Sequence, residues 1–310
     1  MNLSGIGPTR DCEAFLRIAR TVGPDFGPAT ARAAFLVTPE GFVRAEQSTR
    51  DNRYMADAAD FDAGAAQAEH RALQRALSSE LPVIAFSGDP ATPDAVFPNN
   101  VFATAPGRLI VGRMRHEVRR REAARDDIRG FFRDTLGYRE HDLSVQPHPC
   151  ELTGALVIDR ARGLGFCGLS ERCDEAGAAL MHHAFGLRAT LVFDLAPGEY
   201  HTNVVLAVLA GRAALLSPAG FADPEVPAVL AALYGPMAIA LSPDEQAAFA
   251  ANAIALRPDS VWMSRRASEA LAAVTRRRLE DDAGFTVRDV PLAAIEAGGG
   301  SLRCCVGEIF

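Results

Sequence analysis

Short apolar runs of strand length alternate with helix-patterned stretches along the chain, recurring about every sixty residues without a readable sequence repeat. AAFLVT, PVIAFSG, RLIVGRM, ALVIDR, GLGFCGL, ATLVFDL, NVVLAVLAGRAALLS and SVWMS read as buried strands. Helix patterns fall at 64–79, 114–136, 174–186, 223–234, 243–252 and 267–279, several with start signals such as Ser242 ahead of Pro243 and Glu245. VLAGRAALLS has the form of a hairpin turning at Ala210-Gly211. Strands interleaved with helices in this way restrict the chain to an α/β architecture. No Ser/Gly/Pro linker divides it, so residues 1–310 are expected to form one domain.

Charge and cysteine content exclude several function classes. A net charge of −7 gives no electrostatic support for a nucleic-acid or anionic-membrane partner. No apolar stretch reaches the roughly 18 residues a membrane span needs. The opening MNLSGIGPTRDCEAF lacks the basic start and apolar run of a secretion signal. With six cysteines in 310 residues, below disulfide-scaffold density, the expected setting is a reducing cytoplasm. The arginine-dense stretch 113–134 is interleaved with Glu117, Glu122, Asp126 and Asp127, and reads as a solvated, salt-bridged helix face.

Four stretches carry chemistry-bearing residues. The closing AGGGSLRCCVGEIF combines three glycines, which permit unusual backbone angles and close ligand approach, with Cys304 and Cys305. It reads as a buried final strand. Neighbours on a strand point to opposite faces, so at most one of the two cysteines faces a pocket. A thiol needs a lowered pKa or a nearby base to act as a nucleophile. His201, in GEYHTNVVLAV, stands where a loop enters a strand, and such positions favour function. Glu151, in PHPCELTGALVIDR, precedes a small-residue turn and a strand, where a carboxylate orients a histidine or holds a cation. In PDAVFPNNVFAT, Asn99 and Asn100 offer hydrogen bonds without charge, or simply form a turn. Cys167 and Cys173 lack a short-spaced partner pair, and no metal site is expected.

Taken in order, PDAVFPNN, ELTG, LSERCDEAG, YHTNV and GGSLRCCVGEIF resemble the guanidino-group modifying enzymes, with STRDNRYM a weaker N-terminal match. That superfamily includes arginine deiminase, dimethylarginine dimethylaminohydrolase, amidinotransferases and succinylarginine dihydrolase. The arginine deiminase-related, amidinotransferase-like bacterial branch is the most similar. The resemblance implies the pentein fold, a five-bladed α/β propeller of ββαβ units, with about 62 residues per blade in this chain. It also implies no cofactor and a small guanidino or ureido substrate. Matching motifs place the nucleophile on Cys304, the general acid/base on His201 and the carboxylate on Glu151. Cys305 becomes a packing residue. Substrate contacts are expected from Asp94, Asn99, Asn100, Asn203, Arg172, as a partner for a substrate carboxylate, and Asn52.

The chain departs from the deiminase pattern at two positions. Deiminases and the dimethylarginine enzyme place an acid where Asn100 stands, and commonly another at Asn203. Dihydrolases resemble this chain in having asparagine at the Asn100 position. An amide both donates and accepts hydrogen bonds, so it suits a neutral ureido group as well as a guanidinium. The expected activity is therefore hydrolysis of an arginine-like guanidino group, dihydrolase ahead of deiminase. Amidinotransfer to an amine and a non-catalytic binding role are the alternatives. Retention of both Cys304 and His201 argues against the last.

Overall fold

The computed structural model describes residues 7–310; residues 1–6, part of the segment read for a secretion signal, lie outside them. Five sheets make up the α/β fold, and all five share one pattern. In each, two strands pair antiparallel and a third joins the second strand in parallel. Strands Phe102–Ala105, Arg108–Val111 and Arg139–Asp142 form one such sheet. Leu156–Asp159, Leu164–Leu169 and Ala189–Asp194 form the next, extended at its edge by Pro8–Thr9. Then come Leu206–Leu209, Ala213–Leu216 and Ala238–Ala240, followed by Ile254–Arg257, Ser260–Ser264 and Thr286–Val290. The remaining sheet is assembled from both halves of the chain: Gly307–Ile309 pairs antiparallel with Ala33–Val37, which lies parallel to Val83–Phe86.

A parallel pairing needs a crossover, and the helix-patterned stretches supply it. Ala63–Leu77, Glu175–Phe185 and Glu225–Tyr234 connect the second and third strands of their sheets. Asp62 and Asp174 cap the first two by accepting from the backbone N–H groups of Ala65 and Gly177. The hairpin at 206–216 turns through Ala210 and Gly211, whose φ angles of 48° and 66° lie in the left-handed region.

Expectations for two stretches fail in detail. The stretch 114–136 is not one helix but four short turns, Glu117–Arg120, Arg121–Ala124, Asp126–Gly130 and Phe131–Thr135, interrupted where Arg125 is extended at ψ 92°. Nor is it a uniformly solvated face. Arg119 and Glu122 are buried against one another, with Nη2 to Oε2 at 2.9 Å. The same Nη2 donates to the carbonyls of Asp94 and Phe97. An i,i+3 ion pair that also satisfies backbone oxygens tolerates burial that a lone arginine would not. The second correction concerns the cysteines. Leu302–Cys305 is a helical turn, and the final strand begins only at Gly307. Both thiols are consequently buried on neighbouring sides of a turn, not on opposite faces of a strand.

The apolar finish is buried as expected, with Val306, Ile309 and Phe310 in the interior. Thr104 ties its sheet to the one that holds the final strand: its hydroxyl donates to the Glu308 carbonyl at 2.8 Å and accepts from the Phe310 N–H at 3.0 Å.

Candidate active site

The common sheet pattern has a functional consequence. Ahead of the first strand of every sheet the chain makes a tight turn, and the chemistry-bearing residues sit in or beside these turns. Pro98–Asn100 is one; Leu152–Ala155 follows Glu151; Thr202–Val204 follows His201; Leu302–Cys305 carries the thiols. The remaining turn ends in Asn252, which the sequence reading did not single out. Its N–H bonds to the Phe249 carbonyl at 2.8 Å.

A buried chain of charges orders the centre. Asp51 holds Arg172 through two bonds of 2.7 Å. Arg172 reaches Glu151 at 3.3 Å, and Glu151 accepts from His201 Nε2 at 2.9 Å. The other Glu151 oxygen takes the Arg115 N–H at 3.0 Å. Burial alone would push the Glu151 carboxyl up, but Arg172 and the His201 bond hold it down at about 2. Glu151 is therefore an anion, and it fixes the His201 proton on Nε2. Burial also lowers the His201 pKa, so the ring is neutral at neutral pH. Its Nδ1 lone pair has no hydrogen-bond partner among the described residues.

Asn100 completes this acceptor face. Its Oδ1 is buried without a partner among the described residues, and it lies beside His201 across Gly154. A Cβ on Gly154 would meet Asn100 Oδ1 at 2.4 Å and His201 Nδ1 at 2.7 Å. Glycine is thus required at 154 by close approach of the two acceptors. Both amide atoms of Asn99 are likewise buried without partners among the described residues.

Cys304 Sγ faces amides. Asn252 Nδ2 stands 3.3 Å away and Asn203 Nδ2 3.7 Å. Burial pushes the Cys304 thiol up, opposed first by the Asn252 contact. Cys305 is pushed well up, first by burial and further by Cys304, Glu296 and Glu69 nearby, its sulfur directed at the Ser301 carbonyl at 3.5 Å. The glycines ahead of them seat the turn. Gly299 has φ 76°, and its carbonyl accepts from Tyr200 Oη at 2.5 Å and Asn52 Nδ2 at 3.3 Å. Any side chain there would strike Asn52.

A small, tight pocket lies over Cys304, lined also by Asn52, Asp94, Asn100, Arg119 and Arg172. Asp94 accepts from Ser48 Oγ at 2.6 Å. The structure therefore brings together Cys304, His201, Glu151, Asp94, Asn100, Asn203, Arg172 and Asn52. Arg172 differs from its expected use, because Asp51, Glu151 and the Ser48 carbonyl already occupy its guanidinium. Asp51, Arg119 and Asn252 were missed. The STRDNRYM match contained Asp51, but Arg119 was hidden by the charged pattern around it. Among the described residues no group of three or more side chains is disposed to hold a metal ion. No described helix is long and apolar enough to cross a membrane.

The family model described as N,N dimethylarginine dimethylhydrolase, eukaryotic, matches residues 38–310. The chain belongs to that family. With it, the chain belongs to the guanidino-group modifying superfamily. No curated protein matches. Solved structures share the fold. The N-terminal domain of ArgZ, an arginine dihydrolase from the ornithine-ammonia cycle in cyanobacteria, solved bound to substrate, superposes with TM-score 0.78 at 19% identity, covering 89% of this chain and 97% of that one. AgrE in a ternary complex with ornithine and NAD+ gives 0.78 at 18% identity, over 90% of this chain and 39% of AgrE. A dimethylarginine dimethylaminohydrolase in an adduct with S-methyl-L-thiocitrulline gives 0.68 at 20% identity, over 90% and 99%.

Proposed function

We propose that residues 1–310 form one five-bladed pentein domain that hydrolyses the guanidino group of arginine or an arginine derivative, without a cofactor, through Cys304, His201 and Glu151. The observation that carries this reading is a group of buried acceptors, without partners among the described residues, at and beside the pocket over the Cys304 thiol. Asn100 Oδ1 and His201 Nδ1 lack partners among the described residues, and the Asp94 carboxylate lines the same cavity as Cys304. Buried acceptors without partners are costly unless a ligand fills them. A planar guanidinium brings five N–H donors and a positive charge.

In this mechanism His201 Nδ1 takes the Cys304 proton, and the resulting thiolate attacks the guanidinium carbon. The imidazolium then gives that proton to the departing nitrogen, leaving an amidino-thioether. Water deprotonated by Nδ1 cleaves the thioether and regenerates the thiol. Glu151 holds the ring, and Asp51 with Arg172 holds Glu151. Desolvation of both the thiol and the imidazole keeps them neutral at rest. Arrival of the substrate's positive charge therefore favours the thiolate.

Asn100 supports the dihydrolase form. A carboxylate there would pair with the guanidinium and repel a ureido oxygen, whereas the amide serves both, so the ureido product stays for a second attack. ArgZ, a structural relative, is an arginine dihydrolase. Single-turnover reactions with arginine, citrulline and N-substituted arginines, followed by mass spectrometry, test this reading. About two ammonia per arginine-type substrate with little free ureido product are expected. Asn100→Asp should shift the product toward one ammonia and released ureido compound, by roughly tenfold in partitioning, since it loses one hydrogen bond of about 1 kcal/mol and adds a like-signed contact. A wild type that stops at one ammonia would reject the dihydrolase form. Inertness toward every guanidino and ureido compound would reject the reading itself.

A further inference from the structure

The thiol of Cys304 is fully buried and makes no hydrogen bond to His201, so a contact other than the base must steady the sulfur as its proton leaves. Three observations converge on Asn252. First, the amide is clamped to Cys304 twice: Nδ2 lies 3.3 Å from Sγ, and Oδ1 accepts the Cys304 backbone N–H at 3.4 Å. Second, its orientation is fixed by a third contact, since Nδ2 also donates to the Asn203 carbonyl at 2.9 Å. That carbonyl admits only a donor, so the amide cannot be flipped end for end. Third, the backbone that delivers it is strained. Phe249, three residues earlier, has φ 64°, a left-handed angle that a bulky side chain adopts only when its surroundings impose it. The turn is held by the Ala250 N–H to the Glu245 carbonyl at 2.9 Å.

The position completes the pattern of the fold. Four of the five turns that precede a sheet contribute Asn100, Glu151, His201 and Cys304, and the fifth contributes Asn252.

We propose that Asn252 is a catalytic residue, which holds the nucleophilic sulfur in place and donates a hydrogen bond to it as negative charge develops. The inference rests on Cys304 being the nucleophile of the proposed reaction. A neutral donor is suited to this place. A cation beside Sγ would repel the guanidinium substrate, whereas an amide N–H stabilises the thiolate and leaves the cavity's charge unchanged. Removing it should raise the thiol pKa by roughly one to two units, the size of a hydrogen bond to a charged group. Asn203 Nδ2 is the weaker donor, farther away at 3.7 Å and shared with the Thr153 carbonyl at 3.2 Å.

The test is a pH titration of thiolate absorbance in the ultraviolet, each protein read as a difference against the same protein carrying Cys304→Ser. This reports the buried sulfur directly and needs no reagent to enter the cavity. Asn252→Asp keeps the shape but puts oxygen where Nδ2 stood, and Asn252→Ser keeps a small donor. In the folded variants the Cys304 midpoint should rise, more for aspartate than for serine, and kcat should fall at least tenfold at neutral pH with partial recovery at alkaline pH. An unchanged midpoint in either folded variant overturns the proposal. Should Asn252→Asp fail to fold, Asn252→Ser decides by the same criterion. The wild type gives an independent check: a side-chain amide resonance that disappears in Asn252→Ser should titrate with the Cys304 midpoint, and a resonance indifferent to pH overturns the donor role. Failure of the underlying reading is distinguishable, because Cys304→Ser would then retain turnover.

Discussion

Replacing Gly154 with alanine should remove most activity through a single methyl group. Gly154 lies in the helical turn Leu152–Ala155, and its φ is not left-handed. The backbone therefore accepts alanine, which by itself favours a helical turn by up to about 1 kcal/mol over glycine. The obstacle is space. The new Cβ would stand 2.4 Å from Asn100 Oδ1 and 2.7 Å from His201 Nδ1. Ordinary contact needs about 3.4 Å, so the amide must retreat by about 1 Å and the imidazole by somewhat less. Neither moves freely. His201 is held from behind by Glu151 at 2.9 Å, and Asn100 lies in a turn whose backbone is tied to Thr153 through the Asn99 carbonyl at 3.0 Å. Overpacking of this kind costs roughly 1–3 kcal/mol of stability. A 1 Å misplacement of reacting groups costs about 100-fold in rate. Ammonia release at saturating substrate should thus fall about a hundredfold while thermal unfolding stays cooperative. Turnover within threefold of wild type in a folded Gly154→Ala protein would show that the two acceptors do not act together.

Cys304→Ser should abolish turnover, while Cys305→Ser should keep folding and most activity at a stability cost of roughly 1–3 kcal/mol for burying a hydroxyl among apolar groups; the reverse outcome in ammonia assays would move the nucleophile by one residue. His201→Ala should lower the rate by roughly 10²–10⁴, and near-normal turnover across pH 6–9 would reject its role. Glu151→Gln should destabilise the fold near neutral pH by leaving Arg172 without one of its partners. Because the folded Glu151 pKa is depressed to about 2, its stabilisation is complete above the unfolded value near 4.3 and is lost as pH falls toward 2. Urea unfolding should therefore show the gap between wild type and variant narrowing through that window, and a constant gap would contradict the assignment.

The proposed nucleophile, base and carboxylate were legible because each stands in a recognisable local setting, Cys304 after a glycine run and His201 and Glu151 ahead of apolar strands, and because the motifs around them resemble those of the superfamily. The α/β alternation was legible too, since strand and helix periods are local properties. Wherever outcome depended on what a residue meets across the fold, local pattern was not enough. The arginine-rich stretch 113–134 has the composition of a solvent face, yet Arg119 is drawn inward by the carbonyls of Asp94 and Phe97. Arg172 looked free to receive a substrate carboxylate until the chain returned Asp51 to it from 121 positions away. Asn252 had no signal at all, being one polar residue in an alanine-rich segment. Its importance comes from a meeting with Cys304, 52 residues further on. Periodicity and motif are written along the chain, whereas desolvation and the pairing of buried polar groups exist only once distant segments share the same interior, and there the tertiary structure alone decides.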